Sequence, residues 1–194
     1  MSNLKSNIDK LKMWIDNNDV ITLPLAKSMF FSNNKDECLE YISNLKEKGS
    51  LKTFNNSAIK SDIYYTKIEP CIQKIQVLKY IDKLVSLNVD ILDVIIKPSY
   101  LNGTLDLDAF VSFKYFNLKY LTLLKIDNHY NLSNIKINKE YEKLYLRKSD
   151  YNEFENTFPI IIISRPNEGL RYNSYNFETI YTDLNYTNLD RFLL

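Results

Sequence analysis

Apolar residues recur three and four positions apart through the first fifty residues, and this spacing predicts three successive helices. The apolar positions of the first helix are Ile8, Leu11, Trp14 and Ile15. Those of the second helix are Leu25, Ala26, Met29 and Phe30, and those of the third are Cys38, Leu39, Ile42 and Leu45. The apolar step Val20–Leu23 separates the first two helices, the polar turn Ser32–Asn34 separates the last two, and Gly49 ends the third.

Two strand-like segments follow these helices, at Ser50–Phe54 and Asp62–Lys67, and the polar linker Asn55-Asn56-Ser57 joins them. We call the two segments and their linker the wing. Three helices followed by a wing are typical of a winged helix-turn-helix domain, which we place at residues 1–68. Domains of this kind most often insert one helix into the major groove of DNA. We therefore expect residues 1–68 to bind double-stranded DNA.

The pattern changes after residue 68 and predicts a second domain, residues 69–194, with an α/β (α+β) fold. A helix is predicted from about Pro70 to Leu87, and its broad apolar face suits burial, a linker or dimerisation. Strands are predicted at Ile91–Ile96, Asp106–Phe113, Tyr120–Ile126 and Pro159–Ser164, and a further helix at Ile135–Arg147. The segment from Tyr175 onward has no pattern that assigns it to a helix or a strand.

Composition and charge narrow the classes of function. The 45% hydrophobic and 25% charged residues fit a globular chain, and the net charge of +1 excludes a global basic field, so any basic patch must be local. Cys38, Cys71 and His129 are too few for an ordinary zinc site, and no cofactor is expected. The polar N-terminus lacks the apolar core of a signal peptide and the longest apolar run, Phe158–Ile163, is strand-sized, so a cytoplasmic protein is expected.

Candidate DNA contacts lie on the third helix and in the wing. On and before the helix they are Asn34, Lys35, Tyr41 and Asn44, and in the wing they are Lys52, Asn55, Asn56 and Lys60. Asn and Lys side chains suit base edges and phosphates. Glu37 and Glu40 repel phosphate from the helix, so the wing is expected to supply most phosphate contacts. A winged helix with so few basic residues also fits a protein-interaction module that binds no DNA.

Four segments of the second domain resemble segments of a known protein family. They are Leu105-Asp106-Leu107-Asp108-Ala109-Phe110, Tyr120-Leu121-Thr122-Leu123-Leu124-Lys125-Ile126-Asp127, Lys143-Leu144-Tyr145 and Phe158-Pro159-Ile160-Ile161-Ile162-Ile163-Ser164. Following a winged helix in this order, they resemble the replication-relaxation family of plasmid and phage proteins from Gram-positive bacteria. The resemblance implies a restriction-endonuclease-like mixed-sheet domain in a protein of a plasmid, phage or other mobile element, alongside replication or transfer proteins of that element. With the double-stranded DNA partner expected from the winged helix, it suggests a role in transcription regulation or plasmid replication. A homodimer is expected, because one short recognition helix rarely gives enough specificity alone.

The resemblance also implies a metal-dependent nuclease site, which this sequence fills only in part. Asp108 occupies the position of the first metal-binding Asp, and Lys125 that of the lysine, but Leu123 stands where the second acid is expected. The other pairing, Asp127 with His129, puts histidine in place of lysine. Leu107 replaces the Pro that often precedes the first Asp. We expect no complete catalytic centre and no bound metal, with Asp108, Lys125 and Asp127 as the candidates if the domain is a nuclease.

A simpler interpretation of these residues needs no chemistry. Asp106 and Asp108 alternate with Leu107 and Ala109, as solvent-facing residues of a half-buried strand would. A cross-strand ion pair between Asp108 and Lys125 would then account for both charges. Three hypotheses remain open: a DNA-binding regulator or replication accessory factor, a metal-dependent DNA nuclease or nicking enzyme, and a protein-interaction module. The first is our leading prediction.

Overall fold

The computed structural model describes residues 2–31, 35–55, 62–100, 105–128, 134–147, 154, 156–166, 171 and 173–193. The chain is mixed α/β, and it divides into two compact units, Met1–Asp90 and Ile91–Leu194. Each unit has its own sheet. The predicted boundary after residue 68 differs from this division, because the helix that follows residue 68 belongs to the first unit.

The first unit contains four helices and a three-stranded antiparallel sheet within its described residues. In chain order the elements are α1 (Ser2–Asn18), β1 (Val20–Thr22), α2 (Leu23–Phe30), α3 (Lys35–Glu47), β2 (Lys52–Phe54), β3 (Ile63–Tyr65) and α4 (Ile72–Ser86). The strands lie in the order β1-β3-β2. All four predicted helices and both predicted strand segments are present, and the apolar step between α1 and α2 is itself the strand β1.

Side chains from three elements fix the start of α2. Trp14, buried on α1, donates its indole N–H to the carbonyl of Val20 over 3.2 Å. Thr22 caps α2 by accepting the N–H of Leu25 at 3.3 Å, and its hydroxyl donates to Oδ1 of Asp82 on α4 at 2.7 Å. The helix α4 therefore packs within the first unit, and its broad apolar face is buried there.

The second unit is built on a five-stranded mixed sheet. Its elements are β4 (Asp90–Ile96), β5 (Ser99–Tyr100), β6 (Leu105–Asp106), β7 (Ala109–Tyr115), β8 (Leu118–Ile126), α5 (Asn134–Leu146), β9 (Ile160–Arg165), β10 (Thr179–Asp183) and a short 3-10 helix (Leu189–Phe192). The sheet has the order β10-β9-β8-β7-β4, and β5 pairs with β6 alone. The strands β8, β9 and β10 are parallel, and β7 is antiparallel to β8.

Two features of this unit correct or extend the sequence analysis. The predicted strand Asp106–Phe113 is split between β6 and β7, and its predicted alternation of buried and exposed residues is wrong. All five residues from Ala109 to Phe113 are buried, so both faces of β7, an inner strand of the sheet, are covered. The unassigned segment after Tyr175 forms β10, an edge strand of the sheet, and the 3-10 helix.

Candidate functional site

One face of the five-stranded sheet carries a buried apolar cluster that ends in charged residues. Phe110, Leu123 and Ile161 from three neighbouring strands pack in this cluster with Tyr141 and Leu144 of α5. Side chains two positions apart on a strand lie on the same face of a sheet. Asp108, Lys125 and Arg165 continue this face beyond the apolar residues, at the ends where β8 and β9 finish and β7 begins. Ligands commonly bind at the carboxyl ends of parallel strands in α/β sheets.

Lys125 joins two of the carboxylates predicted to matter. Its Nζ lies 2.5 Å from Oδ2 of Asp106 and 3.9 Å from Oδ2 of Asp108. The Lys125 and Asp108 side chains are buried, whereas that of Asp106 is 86% exposed. The predicted pairing of Asp108 with Lys125 is therefore present at the limit of an ion pair, and Asp106 is the closer partner.

Asp108 is held by the backbone as well as by Lys125. Its Oδ2 accepts the N–H of Ile126 at 2.7 Å, and its own N–H donates to the carbonyl of Leu124 at 2.9 Å. Burial raises the pKa of the Asp108 carboxyl, although the Ile126 N–H and the Lys125 charge oppose that rise. The interpretation of Asp108 as a solvent-facing residue is wrong, because Asp108 is only 3% exposed. Its hydrogen bonds with the backbone of β8 hold it at the end of that strand.

Asp127 makes a separate ion pair at the same edge. Its Oδ2 lies 3.2 Å from Nη2 of Arg165, and both side chains are buried. The backbone N–H of Asp127 donates to the carbonyl of Ser164 at 2.9 Å, which aligns the ends of β8 and β9. The Arg165 guanidinium also lies over the ring of Tyr181 on β10, 5.7 Å from its centroid.

We call these five residues the charged rim: Asp106, Asp108, Lys125, Asp127 and Arg165. In the structure Asp108 lies beside Lys125, whereas Asp127 forms its ion pair with Arg165. Arg165 is a rim residue that was not predicted from the sequence. The available signal was the charged residue that ends β9, two positions after its apolar run, as Asp127 directly follows β8.

The charged rim lacks the acid that a nuclease centre needs on β8. Leu123, at that position, is fully buried in the apolar cluster. Among the described residues, no group of three His, Cys, Asp or Glu side chains is placed to hold a metal ion. His129, the other candidate beside Asp127, lies outside the described residues. Within the described rim, Lys125 lies beside Asp106 and Asp108, and Arg165 lies beside Asp127.

The predicted DNA contacts of the first unit are partly described. Asn44 on α3, Lys52 on β2 and Asn55 directly after β2 are exposed. Lys35 is the first residue of α3. Asn34, Asn56 and Lys60 lie outside the described residues.

Tyr41 differs from these residues because it is half-buried on α3. Burial raises the pKa of its hydroxyl, and the charges of Asp9 and Asp16 on α1 add to the rise. The phenol of Tyr41 therefore lies in the negative field of α1, which does not favour a contact with phosphate.

Lysines of this unit lie over tyrosine rings of its sheet. The Nζ of Lys46, near the end of α3, is 5.7 Å from the ring centroid of Tyr64. The Nζ of Lys52 is 5.9 Å from that of Tyr65. Because Tyr64 and Tyr65 are neighbours on β3, these contacts hold two exposed cations beside the same strand.

Comparisons with protein-family models, curated proteins and solved structures found no match. No helix in the described parts of the chain has both the length and the apolar character needed to cross a membrane.

Proposed function

We propose that the first unit is a winged helix-turn-helix domain that binds double-stranded DNA. One observation carries the proposal: the described elements run α1-β1-α2-α3-β2-β3, and their strands lie in the order β1-β3-β2. In that arrangement α3 is the helix for the major groove, and β2 and β3 form the wing. The two lysines over Tyr64 and Tyr65 support this role, because they place positive charge on and beside the wing.

Within the proposal, α3 and the wing have different tasks. The first turn of α3 carries Asp36 and Glu37. Their negative charges interact favourably with the positive end of the helix dipole and stabilise α3, but they repel phosphate. Asn44, one exposed side chain further along α3, can donate and accept at a base edge. Lys52 and Lys46 then supply phosphate contacts. Lys52 on the wing and Lys46 at the end of α3 therefore provide affinity, and Asn44 provides a modest share of sequence recognition.

We further propose that the second unit is a nuclease-like domain without nuclease activity, as in a replication accessory factor or regulator of a mobile element. The position of Lys125 supports this part of the proposal, because its ammonium group lies between Asp106 and Asp108. A divalent cation would have to displace that ammonium group. The apolar side chain of Leu123 removes the carboxylate that would favour the exchange.

A titration of the full chain on an AT-rich 40-base-pair duplex, followed by fluorescence anisotropy, tests DNA binding. We expect saturable binding that weakens with salt, and a double variant Lys52→Gln with Lys60→Gln that binds roughly tenfold more weakly at moderate salt. Its log–log salt slope should fall by about 1.8, because each phosphate contact contributes about 0.9.

The matched control is Lys143→Gln, which removes one exposed lysine from α5 and should leave binding unchanged. Absence of binding by the unmodified chain at low salt would exclude the proposal. Co-purification of a stable protein partner with a chain that binds no DNA would support an interaction module instead.

A further inference from the structure

The turn between β7 and β8 places an aromatic residue in a backbone conformation that it rarely adopts. Tyr115 pairs with Leu118, so Phe116 and Asn117 are the only two turn residues. Their φ angles are 45° and 66°. Positive φ at both positions is the requirement of a type I′ turn, which favours Asn and Gly. Asn117 suits its position, whereas Phe116 is strained by its Cβ.

Burial does not explain why phenylalanine stands there. The Phe116 side chain is 82% exposed and Leu118 is 62% exposed. The described ring contact of Phe116 is an edge-on packing against Tyr115, with 4.5 Å between the centroids. Phe116 is therefore a strained and exposed aromatic residue at the end of a hairpin, and such a residue is a candidate contact for a binding partner.

Two lysines flank this aromatic group. Lys114 and Lys119 are directly opposite each other in the β7–β8 ladder, and both are exposed. Like charges at opposed positions of a sheet repel. The segment Lys114–Lys119, which we call the hairpin tip, contains no acidic residue. Its charge therefore fits an anionic partner.

We infer that the hairpin tip is a second DNA contact, in which Phe116 stacks on bases and Lys114 and Lys119 contact the flanking phosphates. Base stacking on aromatic residues and phosphate neutralisation are the two interactions that proteins use along opened DNA strands. Wedge-like insertion of an apolar side chain between base steps is the corresponding contact with a duplex. The inference rests on the proposed DNA binding, and it assigns to the second unit a role independent of nuclease chemistry.

The test uses the full chain with two labelled probes, an AT-rich 30-base-pair duplex and the same duplex carrying three unpaired thymines. We expect Phe116→Asn to weaken binding to the bulged duplex roughly tenfold, and to weaken binding to the paired duplex less. Equal losses on both probes would also support the contact and would assign it to wedging between paired steps. Lys114→Ser with Lys119→Ser should lower the salt slope by about 1.4–1.8.

The controls are Tyr175→Asn, which removes a different exposed aromatic residue of this unit, and Lys143→Ser on α5. Both should bind like the unmodified chain. Phe116→Asn should unfold at the same or a higher urea concentration, because Asn tolerates positive φ better than Phe. Weaker binding together with undiminished stability is the signature of a lost contact rather than of a damaged fold.

Other outcomes would overturn the inference. If the tip variants bind both probes normally while the Lys52 and Lys60 variant binds weakly, the hairpin tip is not a DNA contact and the proposed function stands. If the unmodified chain binds neither probe, both fail. If Phe116→Asn leaves DNA affinity unchanged but abolishes co-sedimentation with 3:1 phosphatidylcholine–phosphatidylglycerol vesicles, the tip is a membrane contact instead.

Discussion

Asp127 and Arg165 form an ion pair in which the carboxylate and guanidinium atoms are 3.2 Å apart and both side chains are 3% exposed. Charges so deeply buried cost much desolvation energy, which mutual attraction offsets only while both are present. The pair also lies where the parallel strands β8 and β9 end. Its integrity is therefore coupled to the stability of the second unit.

Removal of one partner of this pair should destabilise the second unit strongly. We expect Arg165→Met to lower the free energy of unfolding by about 3–5 kcal/mol, because it leaves the Asp127 carboxylate buried without a cation. Urea unfolding followed by far-UV circular dichroism measures the change.

The double variant Arg165→Met with Asp127→Leu should recover most of that loss, since apolar residues of similar volume can replace a buried pair at little cost. Lys143→Met on the exposed face of α5 is the control for loss of a surface cation. A cost no larger than that of the control would show that the ion pair does not stabilise the fold.

The charged rim predicts an inert nuclease site. We expect supercoiled plasmid to remain intact when incubated with the full chain and Mg²⁺ or Mn²⁺, because Lys125 occupies the space between Asp106 and Asp108. Agarose electrophoresis detects nicking with high sensitivity. Nicking that disappears in Asp108→Ala, in a preparation that still binds DNA, would instead establish a metal-dependent enzyme.

The first unit should lose stability in acid through Asp19. This residue, at φ 62°, accepts hydrogen bonds from the hydroxyl of Thr66 and from the N–H groups of Lys67 at 2.8 Å and Ile68 at 3.3 Å. Partial burial raises the pKa of its carboxyl, but these bonds and the charge of Lys74 outweigh that effect and lower the pKa below 3.8.

The sign of the effect follows from that direction. Because the folded pKa is depressed, the contribution of Asp19 is complete above the pKa of the unfolded residue, about 3.9, and is lost as pH falls through the folded value. Asp19→Asn, which tolerates the same φ, should cost about 1 kcal/mol at pH 7 and progressively less as the pH falls below about 4.

Emission of the only tryptophan, Trp14, measures this unfolding, since it lies in the first unit. Asp16→Asn on the exposed side of α1 is the control. A cost for Asp19→Asn that stays constant from pH 7 to pH 2 would contradict the assignment.

The two thiols should differ sharply in reactivity. Cys38 is fully buried on α3, and burial raises the pKa of its thiol to about 11, whereas Cys71 is exposed. Because the thiolate is the reactive form, we expect an aromatic disulfide reagent at pH 8 to modify one thiol rapidly and the second only in denaturant. Cys71→Ser should abolish the fast phase. A fast phase that persists in this variant would place Cys38 at the surface.

The helices could be predicted because their signal is local. Apolar residues three and four positions apart identify α1 to α5 wherever one face is buried. The edge strand β10 could not be predicted in the same way, since Thr179–Asp183 mixes apolar and polar residues without strict alternation. Its strand conformation depends on parallel pairing with β9, which local sequence does not encode.

Of the contacts in the charged rim, only the one within the β7–β8 hairpin could be predicted from the sequence. The pairing of Asp108 with Lys125 follows from the register of two strands joined by a short turn, and the sequence contains both. The partner of Asp127 comes from β9, beyond α5, so its identification requires the parallel register of β8 and β9. The burial of Asp108 accompanies its hydrogen bonds to the backbone of β8, which alternation within one strand does not reveal.

The two-residue turn at Phe116 also has a consequence for how the second unit folds. The β7–β8 ladder joins strands that are neighbours in sequence, so it can form in about 1–10 μs. The pairing of β9 with β8 is slower, because the long connection through α5 must first be closed. A hairpin whose turn is strained closes less readily, and any step that needs it is slowed. Replacement of Phe116 by Asn should therefore accelerate refolding of this unit, because Asn closes a turn with positive φ at lower cost than Phe.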